Sequence, residues 1–267
     1  MTESMNRYSR LIEHIFFKYY QDGVAEVLFS REDFEATAKE LEIPLPKNIG
    51  DIIYSFRYRA NLPHSITEKA QEGYEWVLSP QGKAKYKFAL SKEAKMFPNS
   101  NLAKIKIPDA TPGIVARYAL SDEQALLAKI RYNRLIDIFT GITCYSLQNH
   151  LRTTLHNIGQ VETDEVYVGI DKQGAHYVFP VQAKGGSDKI GSVQISQDFA
   201  MCIEKYPGAI GRPIAAQFMS DQTIALLEFV LTDEGPRIAS EKHYLLVSSD
   251  ELSTQEVDEY RKHAGVS

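Results

Sequence analysis

Cysteine is nearly missing from this chain, with Cys144 and Cys202 the two among 267 residues. Two thiols supply neither a structural zinc set nor the disulfide framework of a small secreted domain, so a reducing, cytoplasmic setting is expected. Long apolar runs are missing too. No stretch approaches the length of a membrane span, and the opening MTESMNRYSR lacks the apolar segment of a secretory signal, so no membrane partner is expected. There is no basic excess: 30 Lys and Arg stand against 35 Asp and Glu, a formal net charge of -5. Nucleic-acid binding through bulk charge is thereby excluded, whereas a localised basic face is not. Internal repeats and low-complexity tracts are also absent. The 43% of residues that are hydrophobic suffice for one large or two modest cores, and a disordered chain is ruled out.

The most informative stretch is Gly159 to Gln197. Two alternating apolar runs, Val161 to Ile170 and Tyr177 to Ala183, flank a turn at Asp171 to Gly174, which predicts a β-hairpin. Strand alternation places Gln182 and Lys184 on one face of the second strand, and Glu162, Asp164, Val166 and Val168 on one face of the first. Hairpin pairing then brings Asp164 to Gln182 and Lys184. Gly185 and Gly186 follow, and a helix is predicted to carry Gln194 and Gln197 beside the site.

An acidic residue, then an oxygen-bearing side chain two residues before a lysine, resembles the active-site pattern of the PD-(D/E)xK nuclease superfamily, with Gln182 in place of the usual acid. The resemblance implies a restriction-endonuclease-like core, a mixed central sheet flanked by helices. It implies Asp164, Gln182 and Lys184 as catalytic residues and Mg²⁺ as cofactor, a hard cation that takes oxygen ligands. Its implied ligands are the Asp164 carboxylate, the Gln182 side-chain oxygen and the Ala183 carbonyl, with Glu162 or Glu165 as a further acid. Lys184 would hold or activate the attacking water and stabilise charge growing on the phosphate.

The N-terminal region reads as helices over Tyr8 to Tyr20, from Ser30 through Leu41, and from about Asn48 onward, where Ile49, Ile52, Ile53 and Phe56 form the buried face. A hairpin follows in GYEWVLSPQGKAKYKFAL, its turn at Ser79 to Gly82. These helices and the basic hairpin resemble a winged helix-turn-helix module. That resemblance implies DNA contacts by Arg57 and Arg59 and phosphate contacts by Lys83, Lys85 and Lys87.

Pro98, Pro108 and Pro112 break the pattern beyond Ser91, leaving a short strand at Ala103 to Ile107. The chain is therefore expected to divide into a recognition domain over 1–100, a connector over 101–120 and a nuclease domain over 121–267. Ser121 and Gln124 form a capping-box pattern ahead of a predicted long helix, Gln124 to Phe139. A further helix is predicted over Tyr145 to Leu155, holding Asn149 and His150 as secondary site residues. After the helix that carries Gln197, strands are expected at Pro213 to Met219, Thr223 to Leu231 and Tyr244 to Val247, then a terminal helix capped by Ser253 and Glu256.

The expected protein is thus a mixed α/β chain: a sequence-specific, Mg²⁺-dependent endonuclease of double-stranded DNA, resembling type II restriction enzymes. A homodimer would match the two-fold symmetry of a symmetric site, and a restriction-modification setting would add a cognate DNA methyltransferase. Two other readings stand beside it. One is a DNA-binding regulator whose nuclease core has decayed, with Gln182 as the trace; the other is a structure-selective repair or defence nuclease.

Overall fold

The computed structural model describes residues 6–58, 60–82, 84–92, 95–118, 123–156, 158–185, 188–233 and 235–263. Its N-terminal part runs α1 (Arg7–Tyr19), β1 (Glu26–Ser30), α2 (Arg31–Glu40), α3 (Gly50–Tyr58), the single turn α4 (His64–Thr67), β2 (Tyr74–Pro80) and β3 (Lys85–Lys92). The strands form a small antiparallel sheet in the order β1–β3–β2. Helical spacing aims Leu11, Ile12, Ile15 and Phe16 of α1 at Phe34, Ile52, Trp76 and Phe88, which close one aromatic-rich core. Ser30 ends β1 and opens α2 as expected: the Asp33 carboxylate accepts its backbone N–H at 2.8 Å. The strand β1 itself had no sequence expectation. Its five residues are too few for alternation to show, and it exists through pairing with β3.

The remainder contains β4 (Lys95–Met96), β5 (Lys104–Pro108), α5 (Gly113–Tyr118), α6 (Glu123–Tyr132), α7 (Leu135–Thr140), β6 (Thr143–Leu155), β7 (Gly159–Ile170), β8 (His176–Lys184) and β9 (Ile190–Gly191). It continues through α8 (Ser192–Lys205), β10 (Ile210–Gly211), β11 (Ile214–Phe218), β12 (Ile224–Thr232), β13 (Gly235–Val247) and α9 (Thr254–His263). A large mixed sheet runs β5–β13–β12–β11–β8–β7–β6, with β10 also on β8. Strand β11 lies parallel to β8 and β5 parallel to β13; the other neighbours on the path are antiparallel. The β8–α8–β11 crossover puts α8 on one face, over Val161, Val166 and Val178. Helices α6 and α7 cover the other face, packing Leu127, Ile130 and Ile136 on Phe179, Val181 and Leu226. The result is a mixed α/β layer structure with helices on both sides of the sheet. Both cysteines are free and buried, and burial pushes the Cys144 thiol up to about 11 and that of Cys202 to about 12. Among the described residues no helix is long and apolar enough to cross a membrane.

Several sequence expectations are corrected here. Residues Tyr145 to Leu155 form a strand, not a helix. Leu147, Leu151 and Leu155 are four apart, a spacing that serves both a helix turn and two strand repeats. In β6 Leu147 lies at a register shift between Ser146 and Gln148 and is 52% exposed, while Leu155 is buried. The long helix expected from Gln124 is two helices, α6 and α7, broken where Arg134 takes φ 50 and Asn133 turns its amide onto Lys129 O. The last strand is far longer than Tyr244 to Val247, because β12 pairs along the polar stretch that follows Gly235. Ser121, of the expected capping box, lies outside the described residues. The box at Ser253 and Glu256 is present, with Ser253 N–H donating to Glu256 Oε2 at 2.9 Å.

Candidate active site

The expected hairpin is β7 and β8, joined by a turn in which Asp171 Oδ1 accepts the N–H groups of Gln173 and Ala175. Its ladder ends at Glu165↔Val181. Beyond that pair the strands fork, and Asp164 closes the fork: its Oδ2 accepts the Ala183 N–H at 2.8 Å. A residue in a strand sends its N–H and C=O to the same side, so the Ala183 carbonyl is turned to the β7 side as well.

The fork coincides with a change of face in β7. Thr163 and Val161 pack toward α8, yet Glu165 and Tyr167, of the same parity, pack toward α6. Opposite Asp164, between the pairs Asn149↔Glu165 and Leu151↔Thr163, lies His150 with φ 52. A left-handed residue in a strand interrupts the ladder, bends the ribbon and increases its twist there. The expectation that Glu162, Asp164, Val166 and Val168 share one face is corrected by this twist. Val166 is buried with α8, while Glu162 faces a cleft.

Lys184 follows Ala183 into that cleft, its Nζ 3.8 Å from Glu123 Oε1. Burial raises the Asp164 pKa, opposed by the Lys184 charge and the Ala183 N–H and reinforced by Glu162. Glu162 is held by His150 Nε2 at 2.8 Å and by the Arg152 guanidinium at 3.2 Å.

Gln182 departs from its expected role. It is fully buried against α8, where its Nε2 donates to Asp198 Oδ2 at 2.8 Å and to the Glu162 carbonyl at 3.2 Å. Its oxygen accepts from Gln194 Nε2, so it is held inside the protein and not offered to a metal. Thr163 Oγ1 donates to the other oxygen of Asp198 at 2.6 Å. Burial pushes the Asp198 carboxyl up to about 7, against the hydrogen bonds from Thr163 and Gln182 that favour its charge. This network ties α8 to both arms of the fork. Sequence reasoning did not single out Thr163, and it grouped Asp198 with Gln194 and Gln197 as polar residues of the helix that cap or solvate it. The available signal was the spacing of Gln194, Gln197 and Asp198 ahead of Met201 and Cys202, polar residues occupying the buried stripe of α8.

The other expected residues divide as follows. Glu165 lies on the α6 face, where Arg131 Nε donates to it at 3.0 Å, and so is not a ligand beside Asp164. Asn149 is on β6 and accepts from the same arginine. Gln197 is buried next to Asp198. Lys85 lines the cleft, whereas Lys87 pairs with Glu26 across β1 and β3. Arg59, Lys83 and the side chain of Arg57 lie outside the described residues, as does Gly186. Among the described residues no group of three or more His, Cys, Asp and Glu side chains is gathered to hold a metal. The oxygen donors that do fit a hard cation retaining most of its water are the Asp164 carboxylate and the Ala183 carbonyl.

The cleft measures about 1900 Å³. Its walls come from both parts of the chain: Asn48, Gly50, Asp51 and Ile53 at the start of α3, Gln81, Gly82, Ala84 and Lys85 between and at the ends of β2 and β3, and the β6–β7 hairpin together with Asp164, Lys184 and Gln194. Strand β4 pairs with β9, and Ser91 Oγ lies 3.3 Å from Ser192 Oγ, fastening the parts beside it. No protein-family model matches this sequence, and no curated protein or solved structure does.

Proposed function

We propose that the protein is a metal-dependent endonuclease of double-stranded DNA, with its site at Asp164, Ala183 and Lys184. The observation that carries this reading is the fork. A carboxylate closes onto the Ala183 main-chain N–H where two strands part, and the next residue, Lys184, brings its charge to the same cleft. The arrangement suits phosphodiester hydrolysis. Lys184 would orient the attacking water and offset charge growing on the phosphate, and Asp164 is positioned before any substrate arrives because the Ala183 N–H already holds it. Mg²⁺ held by Asp164 and the Ala183 carbonyl would supply Lewis-acid stabilisation of that charge. Glu162 would add a negative potential that favours the cation.

The N-terminal part is proposed to be a winged-helix-like reader. The order α1–β1–α2–α3–β2–β3 supports it, as does the placement of α3 and the β2–β3 turn along the cleft that holds Asp164. A homodimer acting on a symmetric site, a cytoplasmic location and a companion methyltransferase belong to the same proposal. Mixed-sequence plasmid incubated with Mg²⁺, with chelator, and with a Lys184→Ala variant tests it. Discrete fragments that need the metal and vanish in the variant are expected; intact DNA under every metal condition overturns it.

A specific observation favours the second reading, a DNA-binding regulator with a decayed nuclease core. Gln182 Oε1 is occupied by Gln194, so the strand offers one carboxylate at the fork instead of two. Tight, metal-independent DNA binding without cleavage would select that reading.

A further inference from the structure

Beyond the fork, β6 and β7 continue as a two-stranded ribbon that β8 no longer accompanies, pairing from Leu151↔Thr163 to Leu155↔Gly159. One face of it is apolar: Leu151, Leu155, Ile158 and Val161 pack with Met201 and Cys202 of α8. At its far end His156 N–H donates to Glu204 Oε2 at 2.8 Å, fixing the tip to the end of α8. The ribbon is therefore a backed platform and not a loose hairpin. Its other face carries the cross-strand pairs Arg152↔Glu162 and Thr154↔Gln160, and all four residues line the cleft, in register with Asp164.

We propose that this face reads base edges of double-stranded DNA in the major groove, next to the phosphate addressed by Asp164 and Lys184. The inference rests on the DNA-processing reading above and extends it to Arg152, Thr154 and Gln160, which lie outside the catalytic set and outside the N-terminal part. A two-stranded ribbon is one of the two elements the major groove admits. The side chains are those that base edges select: an arginine for guanine, a glutamine for adenine, a threonine for either, and a carboxylate that accepts from the cytosine amino group. They are mixed in charge, as base readers are, and not the lysine-rich array that grips phosphates. A reader of this kind also agrees with a chain whose net charge is -5.

The geometry sets a ruler. Successive same-face pairs of a ribbon are about 6.8 Å apart, about two base-pair rises of DNA. With the ribbon along the groove, Arg152 and Glu162 address bases about two pairs from the cleaved phosphate, and Thr154 and Gln160 bases about four pairs away. Glu162 holds Arg152 loosely, at 3.2 and 3.3 Å, so the guanidinium can leave it for a guanine edge.

The test is selection of bound sequences from a randomised duplex library with the full-length Lys184→Ala chain in chelator, repeated with Arg152→Ala and Gln160→Ala added. Both side chains are exposed, and melting curves check that the fold is kept. The parent should select a defined sequence, and each added substitution should relax one or two positions in it, losing about 5- to 100-fold discrimination there. Unchanged preference in both variants overturns the proposal, as does a preference for single strands or no DNA binding at all. Because nothing in this assay requires cleavage, a relaxed preference paired with a wild-type chain that never cuts DNA would sustain the ribbon reader and reject the nuclease.

Discussion

The Asp164 carboxylate accepts the Ala183 backbone amide at 2.8 Å, bridging β7 and β8 just past the end of their ladder. The hydrogen bond takes the place of a ladder bond at the fork and fixes the acid one residue from Lys184. The site and the end of the sheet are thus one structural event.

Lys184→Ala is expected to lower DNA cleavage by about 10²–10³-fold, the usual cost of removing one stabiliser of developing charge. Binding measured in chelator should be kept within a few-fold. Asp164→Asn should abolish Mg²⁺-dependent cleavage with the fold intact, because an asparagine oxygen still accepts from Ala183. Single-turnover rates over a Mg²⁺ titration check both.

The buried Glu165 side chain leans on Arg131 and Ser146, and its second oxygen has no hydrogen-bond partner among the described residues. Removing the guanidinium by Arg131→Ala strands a buried charge and should cost about 2–4 kcal/mol, given that Arg131 is itself partly exposed. Adding Glu165→Gln should recover much of the loss. Urea denaturation of the two single variants and the double variant measures the coupling.

Asp198 has a signature in pH. Burial chiefly raises its folded pKa to about 7, above the ordinary carboxyl value that it regains on unfolding. Between those values the unfolded chain has released the proton and the folded chain keeps it. This residue's contribution to stability is therefore complete at low pH and is lost as pH rises from about 4 through about 7. Asp198→Asn removes the titration. Relative to wild type, the variant should gain on the order of a few kcal/mol between pH 4.5 and 8, read from paired melts at each pH. A constant difference across that range would show that Asp198 stays ionised in the fold.

Gly211 touches α8 so closely that a Cβ there would lie 2.5 Å from Cys202 Cβ. Gly211→Ala forces the helix off the sheet and should destabilise by about 1–3 kcal/mol. Alanine at Gly208, where a Cβ would meet nothing within 4 Å, is the control and should melt within a degree or two of wild type.

The β7–β8 hairpin was legible because its alternation is clean and its turn chemistry unmistakable, and α1, α3 and α8 were legible from their apolar stripes. What the chain hid was where one period gives way to another. The leucines of β6 keep a spacing that both helix and strand allow, so only pairing with β7 decides between them. The change of face in β7 falls opposite His150, whose left-handed backbone no side-chain pattern encodes. Gln182 was singled out correctly as a polar group needing a reason in an apolar strand. Its partners, Asp198 and Gln194, arrive from a separate element, and pattern reading along one strand does not reveal them.

Strand β5 enters the sheet beyond β13, parallel to it, before the helices that follow have begun. A fragment starting at residue 121 would consequently leave the thirteen-residue β13 with an unguarded edge from His243 to Val247, open to pairing with other copies. The piece of this protein that can be expressed by itself without self-association must begin upstream of Lys104, so the covalent seam for truncation or fusion lies ahead of the sheet's own first strand.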